Sequence, residues 1–132
     1  MTNVQASDDE GAGRGSRPAF DLEERTARFG EAVIAFAKRV PVNPVTMPLI
    51  SQLVRAASSV GANYCEADEA DSGKEFRYRI GVCKREARET KHQIRMVVAA
   101  EQGLRDEARP LWQEAKELTL IFAAILRRRR GS

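Results

Sequence analysis

Apolar residues recur at helical spacing in four stretches of this chain. Leu22, Phe29, Val33, Phe36 and Val40 follow at steps of seven, four, three and four. That spacing sets them on one face of a helix predicted over about 22–40. Asp21 followed three residues later by Glu24 reads as a capping box, and Pro41 and Pro44 end the segment. A second helix is predicted over about 48–69, with Pro48 in its first turn and Leu49, Leu53, Ala57, Val60 and Tyr64 as its seam. Its middle holds small residues (Ala56, Ala57, Ser58, Ser59, Gly61, Ala62), which let another helix approach closely. Gly61 costs a helix about 1 kcal/mol against alanine, which argues for a packing reason.

The third stretch has the cleanest heptad. Ser72-Gly-Lys-Glu75 is a capping box, and Phe76, Ile80, Cys83, Ala87, Thr90, Ile94 and Val97 recur at steps of four and three. Gly103 reads as its stop. The fourth helix is predicted over about 107–129, capped by Asp106, with Pro110 tolerable only in the first turn. Leu111, Ala115, Leu118, Phe122 and Ile125 face inward, and Ile121 and Leu126 widen that stripe. Short links at 41–47, 70–71 and 103–106 force neighbouring helices to run antiparallel. The expected fold is therefore all-α, an up-down-up-down four-helix bundle. Ile34, Ile50, Val54, Leu104 and Trp112 fall partly off the seams, as they would if another copy packed against the bundle.

Composition narrows the class. With 132 residues, the chain has the length of one domain. No apolar run approaches the roughly 20 residues of a spanning helix. Residues 1–10 have neither the basic start nor the apolar centre of a signal peptide, so a cytoplasmic location is expected. Residues 1–19 are rich in Gly, Ser, Ala and Asp without periodicity and read as a disordered leader, 20–126 as the bundle, and 127–132 as a basic tail. Cys65 and Cys83 are expected to be free thiols, both buried or half-buried. Antiparallel packing of the second and third helices sets them roughly 9 Å apart along the axis, too far for a disulfide.

The net charge of +3 matters less than where it lies. Arg127, Arg128, Arg129 and Arg130 are consecutive, whereas 20–126 carries equal numbers of basic and acidic residues. Within that body, the third helix holds Lys74, Arg77, Arg79, Lys84, Arg85, Arg88, Lys91 and Arg95. The segment before it is acidic, with Glu66, Asp68, Glu69 and Asp71. A basic helix beside an acidic one can pair with it or leave a basic face open to a partner.

The middle of the chain also resembles a known family. Ser51-Gln-Leu-Val-Arg55-Ala-Ala-Ser-Ser-Val-Gly-Ala-Asn63-Tyr-Cys-Glu66-Ala is similar to a SQLxRAAxSIxxNIAEG pattern. Ser72-Gly-Lys-Glu75-Phe76 is similar to SxxEF, and Lys84-Arg-Glu86-Ala-Arg-Glu89-Thr90 to a KExxET-type stretch. These patterns belong to the bacterial four-helix-bundle proteins associated with intervening sequences in ribosomal RNA genes. The resemblance covers about 20–126, with the motifs confined to 51–90. It implies an antiparallel bundle that assembles as a homopentamer and has no catalytic activity. It also implies suspected nucleic-acid binding, since a pentameric accessory protein of retroelements is a basic-surfaced relative. After Glu66 this chain departs from the pattern. Ala-Asp-Glu-Ala-Asp replaces a Gly-containing, often basic link, which counts against a nucleic-acid contact there.

The chemistry-bearing residues are few. Arg55, Asn63, Glu66, Glu75, Glu86 and Glu89 are the polar positions of the motif. They suit either a ligand site or, preferably, a hydrogen-bonded layer that fixes register or a subunit interface. Glu89-Thr-Lys-His92 has the E-x-x-H spacing of a di-iron half-site. His92 is the only histidine and falls at the outermost heptad position, so no metal or other cofactor is expected. Asp68, Glu69 and Asp71 read as solvated. No Cys–His pair and no phosphate-binding loop is visible, and no aromatic interleaves with the basic residues, so base stacking is not supported. The resulting expectation is a non-enzymatic homo-oligomeric scaffold, a partner to itself and to RNA or DNA. Candidate contacts are Arg77, Lys84, Arg85, Arg88, Lys91, Arg95 and the arginines 127–130. The alternatives are a protein-binding adaptor with no nucleic-acid role and, remotely, a metal-dependent oxidase of di-iron type.

Overall fold

The computed structural model describes residues 21–131, with side chains through Arg128. The leader expected over 1–19 lies outside them. Four α-helices follow in order: α1 (Leu22–Ala37), α2 (Thr46–Asp68), α3 (Gly73–Ala100) and α4 (Arg105–Gly131), with a 3-10 turn at Gln102–Leu104. Consecutive helices pack antiparallel as an all-α four-helix bundle, and none of the described helices is long and apolar enough to cross a membrane.

The predicted seams form the core. Leu22, Phe29, Val33, Phe36 and Val40 of the first stretch are buried, as are Leu53, Ala57 and Val60 of α2. From α3 come Ile80, Cys83, Ala87, Thr90, Ile94 and Val97, and from α4 Ala115, Leu118 and Phe122. Tyr64 and Phe122 meet across the bundle with ring centroids 6.5 Å apart. Of the off-seam residues, Ile50, Leu104 and Trp112 pack partly buried against this core, whereas Ile34 is exposed. The buried threonines are satisfied locally. Thr26 Oγ1 donates to the Leu22 carbonyl at 2.7 Å and Thr90 Oγ1 to the Glu86 carbonyl at 2.8 Å, the usual i−4 back-bond of a helical hydroxyl.

Helix ends differ from the sequence expectation in several places. Asp21 precedes α1 but makes no side-chain cap. The start of α2 is held by Asn43, whose Oδ1 accepts from the backbone N–H of both Val45 and Thr46 at 2.9 Å. Thr46 Oγ1 locks the same turn by donating to the Pro41 carbonyl at 2.6 Å. Ser72 caps α3, its Oγ accepting from the Glu75 N–H at 3.1 Å. The Glu75 carboxylate pairs with Arg79 at 3.1 Å instead of returning to the cap. α3 ends at Ala100, and Gly103 lies in the 3-10 turn that leads into α4. That turn starts α4 at Arg105, so Asp106 sits in the first turn and Pro110 falls one turn deeper than expected. Pro110 is exposed, and so is Asp106, whose carbonyl it leaves without an i+4 donor.

Cys65 and Cys83 are both free, as expected. Cys83 is buried, and its Sγ lies 3.5 Å from the Val60 carbonyl. Burial pushes that thiol up to about 12. Cys65 is exposed, contrary to expectation, because it falls one position beyond Tyr64 on the outer side of α2.

α1 and α2 approach each other closely at two glycines. A Cβ placed on Gly61 would meet Thr26 Oγ1 at 3.3 Å, and one on Gly30 would meet the Ala57 carbonyl at 3.6 Å. Gly61 is thus the small residue with a packing reason, because Thr26 is held by its own hydrogen bond and has little freedom to yield. α1 meets α4 least, and ion pairs bridge that seam. Arg25 makes a bidentate pair with Glu114 at 2.7 and 2.8 Å and reaches Glu117 at 3.0 Å, while Arg39 meets Glu107 at 2.6 Å. The hydrogen bonds to Glu114 hold the Arg25 guanidinium above its ordinary pKa.

A substitution cycle tests the approach at Gly61. Gly61→Ala alone is expected to gain less than the ~1 kcal/mol that helix propensity offers. On a Thr26→Ala background the same change recovers that gain, because the contacting hydroxyl is gone. Urea unfolding of the four proteins reads the coupling, and equal effects in both backgrounds would place the constraint elsewhere.

Candidate nucleic-acid interface on the third and fourth helices

The heptad that buries one face of α3 also sorts its remaining residues onto two flanks. Glu75, Arg79, Glu86 and Gln93 recur at helical spacing on the flank that meets α2. Arg79 donates to Asn63 Oδ1 at 3.0 Å, and Asn63 Nδ2 donates to the Ser59 carbonyl at 2.9 Å. With the Glu75–Arg79 pair this makes a short polar chain across the two helices. The pairing with Glu75 keeps the Arg79 guanidinium above its ordinary pKa. Lower down, Arg55 of α2 meets Glu86 at 3.3 Å. Glu89 accepts from Gln93 Nε2 at 2.9 Å within α3. The structure therefore brings four of the six polar motif residues, Arg55, Asn63, Glu75 and Glu86, onto the α2–α3 seam, places Glu89 on the α3–α4 groove, and leaves Glu66 exposed. Among the described residues, the buried Glu86 Oε1 and Gln93 Oε1 complete no hydrogen bond.

The opposite flank is cationic. Arg77, Lys84, Arg88, Lys91 and Arg95 follow at steps of seven, four, three and four, the spacing of one helix face. Two contacts show that this face meets α4. Arg77 donates to the Leu126 carbonyl at 2.9 Å, and the Lys91 ammonium sits 5.3 Å from the centre of the Trp112 ring. Lys116, one turn after Trp112, approaches the same ring at 5.7 Å. Around Trp112 lies an open groove of about 490 Å³ lined by Arg85, Arg88, Glu89, Lys91, His92 and Arg95. Among the described residues, none of Lys84, Arg85, Arg88, Lys91 and Arg95 forms an ion pair. Glu107, Glu114 and Glu117 of α4 face the other way, where they pair with Arg25 of α1 and Arg39 of the turn that follows it.

The sequence-predicted contacts thus divide. Arg85, Arg88, Lys91 and Arg95 converge on the groove. Arg77 is held against the C-terminal part of α4, and Lys84 is half-buried on the same flank. Arg127 and Arg128 are exposed at the end of α4, and the side chains of Arg129 and Arg130 lie outside the described residues. Trp112 and Lys116 are the residues that sequence reasoning missed. No aromatic interleaves with the cations along α3; the tryptophan arrives from α4, one position past the Leu111 seam. His92 is exposed on the groove rim among four cations. That surrounding disfavours a metal ion, and no group of three or more His, Cys, Asp or Glu is placed to hold one among the described residues.

The groove offers charge-assisted contacts to phosphate oxygens and one aromatic face, with no nucleophile–base pair beside it. The comparisons agree with the fold. Among solved structures, the chain is similar to a protein of unknown function from the S23 ribosomal protein family of Bacteroides thetaiotaomicron. The two are 20% identical and superpose with a TM-score of 0.70, over 80% of this chain and 97% of the other. No curated protein matches the chain. The family described as 23S rRNA-intervening sequence protein matches over residues 19–124. With its bundle and its motif-bearing second and third helices in place, the chain belongs to the 23S rRNA-intervening sequence protein family.

Proposed function

We propose that this protein is a non-enzymatic helical scaffold that binds nucleic acid through the α3–α4 groove. The observation that carries this reading is the set of four cations, Arg85, Arg88, Lys91 and Arg95, that line one groove without an ion pair, against a single carboxylate there, Glu89, while Glu107, Glu114 and Glu117 of α4 are engaged elsewhere. Four cations against one carboxylate leave an excess of like charge that is unfavourable for the isolated fold, and a polyanion relieves it by releasing its own condensed counterions. The family's name, which refers to an intervening sequence of 23S rRNA, favours RNA as the polyanion.

The scaffold is homo-oligomeric in this reading. Ile34, Val42, Val45, Met47, Tyr78 and Leu120 are large apolar side chains left exposed on one copy, and Gln93 carries a buried oxygen without a donor. A second copy packed against these positions removes apolar surface from water and supplies donors. Closed rings of identical subunits repeat one groove at regular intervals, which multiplies weak contacts along a single strand.

Two measurements test these statements. Binding to a single-stranded RNA oligonucleotide is expected to weaken with salt. Replacing Arg88, Lys91 and Arg95 together by alanine is expected to lower the slope of log K against log salt by about two, at ~0.7 per phosphate contact. An unchanged slope in the triple variant, or no RNA binding at low salt, contradicts the groove as the site. Light scattering on a sizing column is expected to give a multiple of the 14.7 kDa chain, with a pentamer as the expected assembly. A mass of one chain contradicts the oligomer and favours the adaptor alternative, in which a different protein covers the exposed apolar residues.

A further inference from the structure

Trp112 is the single tryptophan of the chain, and it sits in the groove just described. It is half-buried: one part packs against the core, and the remainder faces the groove between Lys91 and Lys116. We infer that Trp112 is a stacking platform for an unpaired nucleobase, so that the groove selects single-stranded over double-stranded nucleic acid. The inference rests on the polyanion reading above but asks more of the site.

The argument is one of geometry and chemistry. Two ammonium groups lie over the half-buried aromatic ring at 5.3 and 5.7 Å, and Arg88 and Arg95 stand on the α3 side of the same groove. A ring flanked by cations is the arrangement in which a base and its phosphates are held together, the base against the aromatic face and the phosphates on the charges. Any of the four bases has such a face, so the site is tolerant of sequence. The base takes the place of an ammonium over the ring, and the displaced lysine finds its counter-charge in the adjacent phosphate. A duplex keeps its bases stacked on one another and offers the groove phosphates alone. The groove, of about 490 Å³, is open enough to admit a nucleotide from the side.

Because Trp112 is alone, its emission reports this site and no other. Titrating the full chain with oligouridine is expected to quench the emission in a saturable, salt-sensitive way, whereas an RNA duplex of equal charge binds more weakly and leaves the emission unchanged. Trp112→Ala is expected to weaken oligouridine binding roughly tenfold, the usual order for one stacked base. Trp112→Phe, which keeps a ring in the same packing, retains most of the affinity, and circular dichroism verifies that both variants remain helical. If oligouridine binds with unchanged emission and both variants bind as tightly as the parent, stacking is wrong and the polyanion reading survives. If neither strand form binds at low salt, both readings fail. Equal binding by a polyglutamate peptide of the same charge also overturns the proposal, since it shows that charge alone is recognised.

Discussion

Everything in this bundle depends on how α3 divides its surface. Its buried stripe, from Ile80 to Val97, fixes the rotation of the helix in the core. Once that rotation is set, 3.6-residue periodicity leaves no freedom in the rest. Glu75, Arg79, Glu86 and Gln93 must face α2, and Arg77, Lys84, Arg88, Lys91 and Arg95 must face α4. The hydrophobic seam is therefore also the device that builds the cationic groove. A shift of one residue in the heptad would carry the cations out to solvent and bring His92 and Arg85 nearer the core.

The other helices respond to that division. α2 presents Arg55 and Asn63 to the flank that carries Glu86 and Arg79, and charges and amides are matched there. α4 turns Glu107, Glu114 and Glu117 toward α1, where Arg25 and Arg39 bridge the thinnest seam of the bundle. This leaves Trp112 and Lys116 facing the cationic flank of α3. Partly exposed ion pairs of the Arg25 kind each contribute little to stability, on the order of 0–1 kcal/mol. Their consequence here is electrostatic: they hold Glu107, Glu114 and Glu117 on the side of α4 away from the groove, where Glu89 is the carboxylate among the cations.

Much of the fold is legible in the sequence because burial has a period. Leu22 to Val40, Ile80 to Val97 and Leu111 to Ile125 identify their own inner faces. Gly61 is legible too, as a residue whose cost in a helix needs a neighbour to justify it, and Thr26 is that neighbour. Helix ends are less legible. Asp21 has the right type but makes no cap, and Asn43, three residues upstream of Thr46, caps α2 because the Pro41–Pro44 turn folds it back. Caps depend on loop geometry, which no periodicity encodes. The groove is half legible for a similar reason. Its cations lie on one helix and can be counted from the sequence, whereas Trp112 belongs to another helix and becomes a neighbour only through packing. The same packing exposes Cys65 while burying Cys83.

The central claim is that nucleic acid meets this protein on the α3–α4 groove. The most direct measurement is an amide chemical-shift map of the isotopically labelled chain titrated with a short RNA strand. The account predicts that perturbations concentrate in residues 85–95 of α3 and 109–116 of α4, while α1 and the α1–α2 turn stay unperturbed. Perturbations centred on α1 and α2, or spread evenly over the bundle, would contradict it.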